Sequence, residues 1–436
     1  MSKQNLQIQQ FDRKRVEEAF SYIQVYWKRL ERFHPYDEGT LVGLPRPYVV
    51  PSAGDGSSFE FEELYYWDSY FMSQAFFGTE KQQLAFDMTE DLLHLMRRFH
   101  VIPNGGRTYL TSRSQPPFLS TMVLQVYKAT GDRKWLADAM SVAKDEYRKV
   151  WMGTTHPNWR QVFDGLSRYY DANMLHELAE AESGWDMTSR FNRKCLDYIP
   201  VDLNALLYKY ETDFEYAALI NYEAEEAAEW HARAKTRLKA MNEFLWNDEK
   251  HCYFDYNYKT REQGQVWSLA AFYPMWAGMV SRKQAKLLVA QLEKFEFSGG
   301  LTTTAAYPRV HHEIAEQWSY PNGWAPLQMI VIEALERYGY HKQAERIARK
   351  WLSVNLNTFS RQGIFLEKYN VVHPELPATE GVYPSQTGFG WTNALFVCLA
   401  ERYLSAEELP EPVPITPKQP AGSKLFGARL RFRPQL

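Results

Sequence analysis

Cysteine is scarce in this chain: Cys195, Cys252 and Cys398 are the only three, far apart and without a C-x-x-C pair. That excludes a cysteine-built metal site or a disulfide framework, and the odd count fits free thiols in a reducing cytoplasm. Long apolar runs are missing as well. No stretch reaches the roughly 20 residues needed to span a bilayer. The opening run M-S-K-Q-N-L-Q-I-Q-Q-F-D-R-K-R lacks the apolar core and small-residue cleavage site of a secretory leader. The chain therefore reads as a soluble cytoplasmic protein with no membrane partner. Nor is there an excess of positive charge: 50 Lys and Arg stand against 53 Asp and Glu, a net charge of -3, which leaves no basic field to hold a nucleic acid. Gly105-Gly106 is not followed by the K-[ST] of a phosphate loop, so nucleotide binding is disfavoured.

What is present in quantity is apolar and aromatic surface. At 436 residues and 45% hydrophobic content the chain can bury a large core without staples. Val16, Ala19, Phe20, Ile23, Trp27 and Leu30 form a stripe at intervals of three and four, the period of an amphipathic helix. The same pattern recurs near 66–78, 82–99, 117–130, 133–150, 203–219, 222–245, 266–278, 281–294, 318–338, 340–355 and 390–404, giving twelve helices. Short turns such as Gly131-Asp132 and the one at Gly339 alternate with long excursions at about 34–65, 100–116, 151–202, 246–265, 295–317 and 356–389. Helices joined by short turns lie antiparallel, so the alternation predicts an all-α (α/α)6 toroid with its long loops on one face. The toroid would occupy residues 1–409, followed by a Pro-rich basic tail over 410–436.

Loops of that length usually carry function, and two acids lie in them. Asp186 sits in S-G-W-D-M-T-S-R-F and Glu367, about 180 residues later, in I-F-L-E-K-Y-N, each near a large aromatic. Glycosidic cleavage needs such a pair: one carboxyl protonates the leaving oxygen while the other activates water or attacks the sugar. Asp68, beside Trp67 at the start of the second helix, reads either as a helix cap or as an acceptor for sugar hydroxyls. The excursion I-P-N-G-G-R-T-Y-L-T-S-R-S-Q-P-P sets Asn104, Arg107, Arg113 and Gln115 in a short polar loop closed by two prolines. His311-His312-Glu313 lacks the spacing of a metal helix, so no metal is expected.

The runs Y-Y-W-D-S-Y, I-P-N-G-x-R with R-S-Q-P-P, S-G-W-D-x-[ST]-S-R, Q-W-x-x-P-N-G-W-A-P-L-Q, E-K-Y and G-F-G-W-T-N, in this order, resemble the trehalase family of inverting glycoside hydrolases from about residue 45 to 400. The resemblance implies the (α/α)6 toroid, Asp186 as general acid and Glu367 as general base. It also implies a substrate site from Phe61, Trp67, Asp68, Asn104, Arg113, Gln115, Gly184, Gln317, Trp318 and Trp324. The substrate would be a small neutral disaccharide, foremost α,α-trehalose, cleaved without a cofactor. Asp186 would then need a raised pKa, from burial against Trp185 and from neighbouring acids, with Lys368 either helping Glu367 or lying at the surface.

The match departs at recognition positions. Glu60 stands where the family carries a substrate-binding Arg, the R-P-E segment before S-G-W-D is absent, Ser319 replaces the Asp of Q-W-D, and Val382 stands where Glu is common. Arg168 and Glu177 are the residues nearest to hand as substitutes. Another compatible-solute α-glucoside, of the glucosylglycerol or glucosylglycerate type, is accordingly the competing substrate. A sugar epimerase would require paired histidines near the barrel axis, which the inner helices lack, and a binding module has no need of both acids. The sequence leaves the oligomeric state open.

Overall fold

The computed structural model describes residues 10–54, 61–307, 316–381 and 385–410. Glu60, His311-His312-Glu313, Val382 and the tail from 411 onward lie outside the described residues. Thirteen α-helices occur among those described: α1 Arg13–Leu30, α2 Tyr66–Ser73, α3 Gln82–Phe99, α4 Leu119–Thr130, α5 Arg133–Glu146, α6 His176–Glu182, α7 Val201–Ile220, α8 Ala224–Phe244, α9 Tyr273–Trp276, α10 Arg282–Val289, α11 Ala325–Arg337, α12 His341–Gln362 and α13 Gly390–Tyr403. All but the short α6 correspond to periodic segments of the sequence.

The helices form an (α/α)6 toroid. Burial sorts them into rings: α7 has thirteen of its twenty residues buried, including Asp202, Asn204 and Glu211, whereas its hairpin partner α8 buries only five of twenty-one. Around the inner ring α4 packs on α7, α7 on α9, α9 on α11, α11 on α13, and α13 on α2. The ring closes between α2 and α4, where Tyr70 stacks on Phe118 at 4.2 Å and the Tyr66 hydroxyl accepts the Leu119 N–H at 3.0 Å. Trp276 of α9 meets both Tyr70 and Phe118 edge-on across the axis, so the hole of the toroid is filled by aromatic rings.

Five hairpins, α2–α3, α4–α5, α7–α8, α9–α10 and α11–α12, have short turns; Gly131, left-handed at φ 72°, ends α4 and lets the Asp132 side chain cap α5 through the Trp135 N–H. The sixth pair joins opposite ends of the chain: α13 lies against α1, with Phe20 edge-on to Phe396, and Glu408 accepts the Phe11 N–H at 3.0 Å while pairing with Arg349. Each inner helix follows a long excursion, so the inner helices start at the loop face, and their positive dipole ends point there.

Two periodic segments are not continuous helix. The stretch 266–278 is a 3-10 turn, Leu269–Phe272, running into the single turn of α9, because Pro274 cannot supply the N–H that a continuous helix needs at that position. The helix expected at 318–338 starts only at Ala325, beyond Pro321, with Pro326 accommodated in its first turn. Trp318 and Trp324 belong instead to the turn and strand before it. No helix among the described residues is long and apolar enough to cross a membrane, and the three cysteines are unpaired.

The filled axis makes a direct prediction. Phe118→Ala should destabilise the protein by about 3–5 kcal/mol, the usual cost of deleting a fully packed ring, seen as a lowered urea midpoint. A loss below about 1 kcal/mol would mean the axis is loosely packed.

Candidate active site

The acid loop is built from below. Arg190, in the S-R that follows Asp186, is buried and donates to both Asp202 and Asp255 at 2.8 Å, and its guanidinium lies over the Trp185 ring at 4.2 Å. Asp202 comes from the first turn of α7, and Asp255 also accepts the Val201 N–H at 2.9 Å, so the loop is bolted to an inner helix. From the other side, Gln317 Nε2 donates to the Asp186 carbonyl at 2.5 Å and the Trp318 N–H donates to the Met187 carbonyl at 3.0 Å. The Gln317 carbonyl itself accepts from the Trp324 indole and from Asn322 Nδ2, both at 3.0 Å.

Glu367 does not lie in an open loop. It directly precedes the strand Lys368–Asn370, which pairs antiparallel with Asn322–Trp324 so that Lys368 faces Trp324. The Glu367 and Lys368 side chains are both fully buried and form an ion pair at 2.7 Å, so Lys368 is a buried counter-charge rather than a surface partner. The Glu367 backbone is held by the Gln386 carbonyl at 3.0 Å, by the Trp391 indole N–H at 3.2 Å and by the Thr392 hydroxyl at 3.4 Å. The last two residues belong to G-F-G-W-T-N, a motif that the sequence brings forward without a task for it.

Asp68 is the third acid. It sits in the first turn of α2, but the N-cap is Tyr65, so Asp68 is not the helix cap. Gln115 does the capping from the neighbouring loop: its Oε1 accepts the Trp67 N–H at 3.0 Å, and its side chain also bonds the Asp68 carboxyl. Burial raises the Asp68 pKa well above the carboxylate range; its own N–H opposes this, and the charges of Glu367 and Asp186 push it further up. Asp186 is raised to about 7, first by burial and then by Glu367, against the lowering effects of its own N–H, Lys368 and Arg113. The three carboxyls thus share one electrostatic environment.

Arg113 reaches this group while donating to Asp171 at 3.2 Å, and Asn104 braces its loop through the Ser114 carbonyl at 2.8 Å. Gly184 has φ 74°, and a Cβ there would fall 2.6 Å from the Trp67 ring, so a side chain at this position and the indole exclude each other. Trp318 and Trp324 stack face to face at 3.7 Å, with Trp67, Trp185 and Trp391 around them. All five indoles are buried, so they floor the site and present no open platform to solvent. Phe61 is also buried, edge-on to Tyr65 and Phe389 at its rim. Around the acid, Arg113 Nε, Gln317 Oε1, Trp185 Nε1 and Trp318 Nε1 are buried without a partner among the described residues.

Neither suggested substitute for the R-P-E segment joins the group. Arg168 donates to the carbonyls of Trp159 and Leu196 and to the Tyr258 hydroxyl, and Glu177 pairs with Arg193 at the surface. Glu180 does join it, and sequence reasoning passed over it. On α6, it accepts the Thr188 N–H at 2.6 Å, and its pKa rises to about 8, chiefly by burial and further by Asp186 and Glu316. Its only sequence signal was the acidic run E-L-A-E-A-E before S-G-W-D.

The trehalase family model matches residues 2–177 and 158–403, and the chain belongs to that family. The cytosolic neutral trehalase of Neurospora crassa is 34% identical over 83% of this chain and 58% of its own length, and that of Saccharomyces cerevisiae is 31% identical over 86% and 59%. The chain thus spans under two thirds of these relatives' length. The solved neutral trehalase Nth1 from Saccharomyces cerevisiae superposes with a TM-score of 0.73 at 30% identity, covering 89% of this chain and 80% of that one. A GH63 mannosylglycerate hydrolase from Thermus thermophilus, in complex with glucose, shares the fold at a TM-score of 0.65 and 18% identity, covering 87% and 99%.

The contact between Gly184 and Trp67 can be tested separately. Gly184→Ala should lower the urea midpoint and shift the tryptophan fluorescence with the far-ultraviolet circular dichroism spectrum unchanged, since Trp67 must move and a left-handed alanine costs about 1–2 kcal/mol. An unchanged midpoint and fluorescence would show that the contact is not tight.

Proposed function

We propose that this protein is a cytosolic glycosidase that hydrolyses α,α-trehalose to two glucoses with inversion at the attacked carbon. The observation that carries the reading is the contrast between the acids. Asp186 has a pKa near 7 and can hold a proton at neutral pH, while Glu367 is buried against the Lys368 ammonium at 2.7 Å. Membership of the trehalase family, and relatives named cytosolic neutral trehalases, support the substrate and the compartment.

In the reaction Asp186 gives its proton to the glycosidic oxygen as the bond from that oxygen to the anomeric carbon breaks. Glu367 takes a proton from a water whose oxygen bonds to the opposite face of the same carbon. The products are one glucose of inverted configuration and one released as the leaving group. Asp186 is left ionised and Glu367 protonated, and exchange with solvent restores both. Asp68, Asn104, Gln115 and the unpaired Arg113 Nε and Gln317 Oε1 meet the sugar hydroxyls, while Trp67 supports the site from its buried floor. Phe61 borders the entrance. Gly184 leaves room for Trp67, and Trp318 and Trp324 act from beneath by holding the acid loop. A second reading, hydrolysis of another small α-glucoside, draws support from Ser319 and from the engagement of Arg168 and Glu177 elsewhere.

Asp186→Asn and Glu367→Gln should each lower trehalose turnover by about 10²–10⁴-fold or more without loss of fold. With α-glucosyl fluoride, whose leaving group needs no proton, Asp186→Asn should stay active and Glu367→Gln should not. Near wild-type trehalose turnover in either variant would contradict the assignment. In the wild type, kcat/KM should fall as pH rises through about 7, because the acid must enter the reaction protonated; a profile rising through that range would reverse the two roles.

A further inference from the structure

Helix α6 ends just ahead of Asp186 and carries two buried carboxyls, Glu180 and Glu182. Two residues apart on a helix, they leave it in different directions. Glu182 fixes the helix in place: Arg160 Nε donates to it at 3.1 Å, and it accepts the Ser114 and Tyr170 N–H groups, both at 2.7 Å. Glu180 therefore reaches out from a fixed base, and it has no task in the reaction above.

Glu180 holds the chain on both sides of the acid. Its carbonyl accepts the Ser183 hydroxyl at 2.6 Å, and Ser183 Oγ in turn accepts the Trp185 N–H at 3.1 Å. Beyond Asp186, its carboxyl Oε1 accepts the Thr188 N–H at 2.6 Å. The carbonyl of that same peptide unit, Met187, accepts the Trp318 N–H at 3.0 Å. The C=O and N–H of one planar trans peptide point opposite ways. The Met187–Thr188 unit is thus gripped at both poles, by Trp318 from one side and by Glu180 of α6 from the other, and Met187 joins it directly to Asp186. Burial raises the Glu180 pKa to about 8 against the lowering effect of the Thr188 N–H. Protonated at neutral pH, the carboxyl still accepts that N–H and sets no further negative charge beside Asp186 when the acid gives up its proton.

We propose that Glu180 is a positioning residue for the general acid: by holding the Thr188 N–H opposite Trp318 it sets where the Asp186 carboxyl stands relative to the leaving oxygen. It acts through the acid and takes no part in the activation of water by Glu367. The proposal rests on the hydrolytic reading above and deepens it. Positioning of this kind is worth having, since a displacement of about 1 Å at a reacting group costs on the order of 10²-fold in rate.

The test compares kcat/KM of the full chain on a glycoside, whose departing oxygen needs the acid, and on α-glucosyl fluoride, whose leaving group does not. The glycoside is trehalose, or glucosylglycerol if wild-type enzyme cleaves that faster. Glu180→Ala should lower kcat/KM on the glycoside tenfold or more and leave α-glucosyl fluoride within twofold. Glu180→Gln, whose amide oxygen can accept the Thr188 N–H at the same reach, should return the glycoside to within threefold of wild type. If Glu180→Ala does not fold, as judged by circular dichroism, Glu180→Asp, one methylene short of Thr188, should show the same split at three- to tenfold. Equal loss on both substrates would make the residue merely structural and overturn the inference. So would an unimpaired glycoside reaction in the alanine variant, or a glutamine variant no better than alanine. Wild-type enzyme inert towards both glycosides and the fluoride would instead overturn the hydrolytic reading.

Discussion

Three carboxyls gathered in one buried space set the constraint that organises the rest of this protein. Asp68, Asp186 and Glu367 cannot all be ionised there at low cost, since like charges in a poorly hydrated place repel and lose their water. The sequence resolves this unequally. Lys368 forms its ion pair with Glu367, while Asp68 and Asp186 are pushed towards their protonated forms, Asp186 to about 7. That inequality is what acid–base chemistry on a sugar needs. It follows from placement, because the residue after Glu367 is a lysine and the strand Lys368–Asn370 turns that lysine inward against Trp324.

Placement in turn depends on a scaffold that does not yield. Arg190, locked between Asp202 and Asp255 under Trp185, fixes the acid loop to the start of α7, and the Gln317–Trp318 turn holds it from the opposite side. Glu367 is fixed through its backbone by Trp391 and Thr392 at the start of α13. Asp186 and Glu367 therefore hang from different inner helices of one ring, and the aromatic axis formed by Tyr70, Phe118 and Trp276 braces that ring.

Much of this was legible in the sequence, for identifiable reasons. Apolar spacing located the helices, since each of the long ones keeps a buried face, and loop alternation yielded the toroid. Periodicity misled where prolines intervene, at Pro274 and at Pro321, beyond which the helix begins, so that Trp318 and Trp324 stack within a turn and a strand. The pairing of α1 with α13 had no local signal, because it joins opposite ends of the chain. Lys368 was ambiguous because lysine is rarely buried unless paired, and only the strand register places it. Glu180 lay hidden in an acidic run, and its relation to Asp186 arises only when α6 folds back on the Thr188 N–H.

In the proposed reaction Asp186 protonates the departing oxygen while Glu367 directs water to the opposite face of the sugar. It is tested most directly by following, with proton NMR, the anomer released in the first moments of hydrolysis of an α-linked substrate such as trehalose, before mutarotation. Inversion predicts that β-glucose appears first, alongside the α-glucose released as the leaving half. Initial release of α-glucose alone would contradict the account and require a covalent glycosyl-enzyme in place of an activated water.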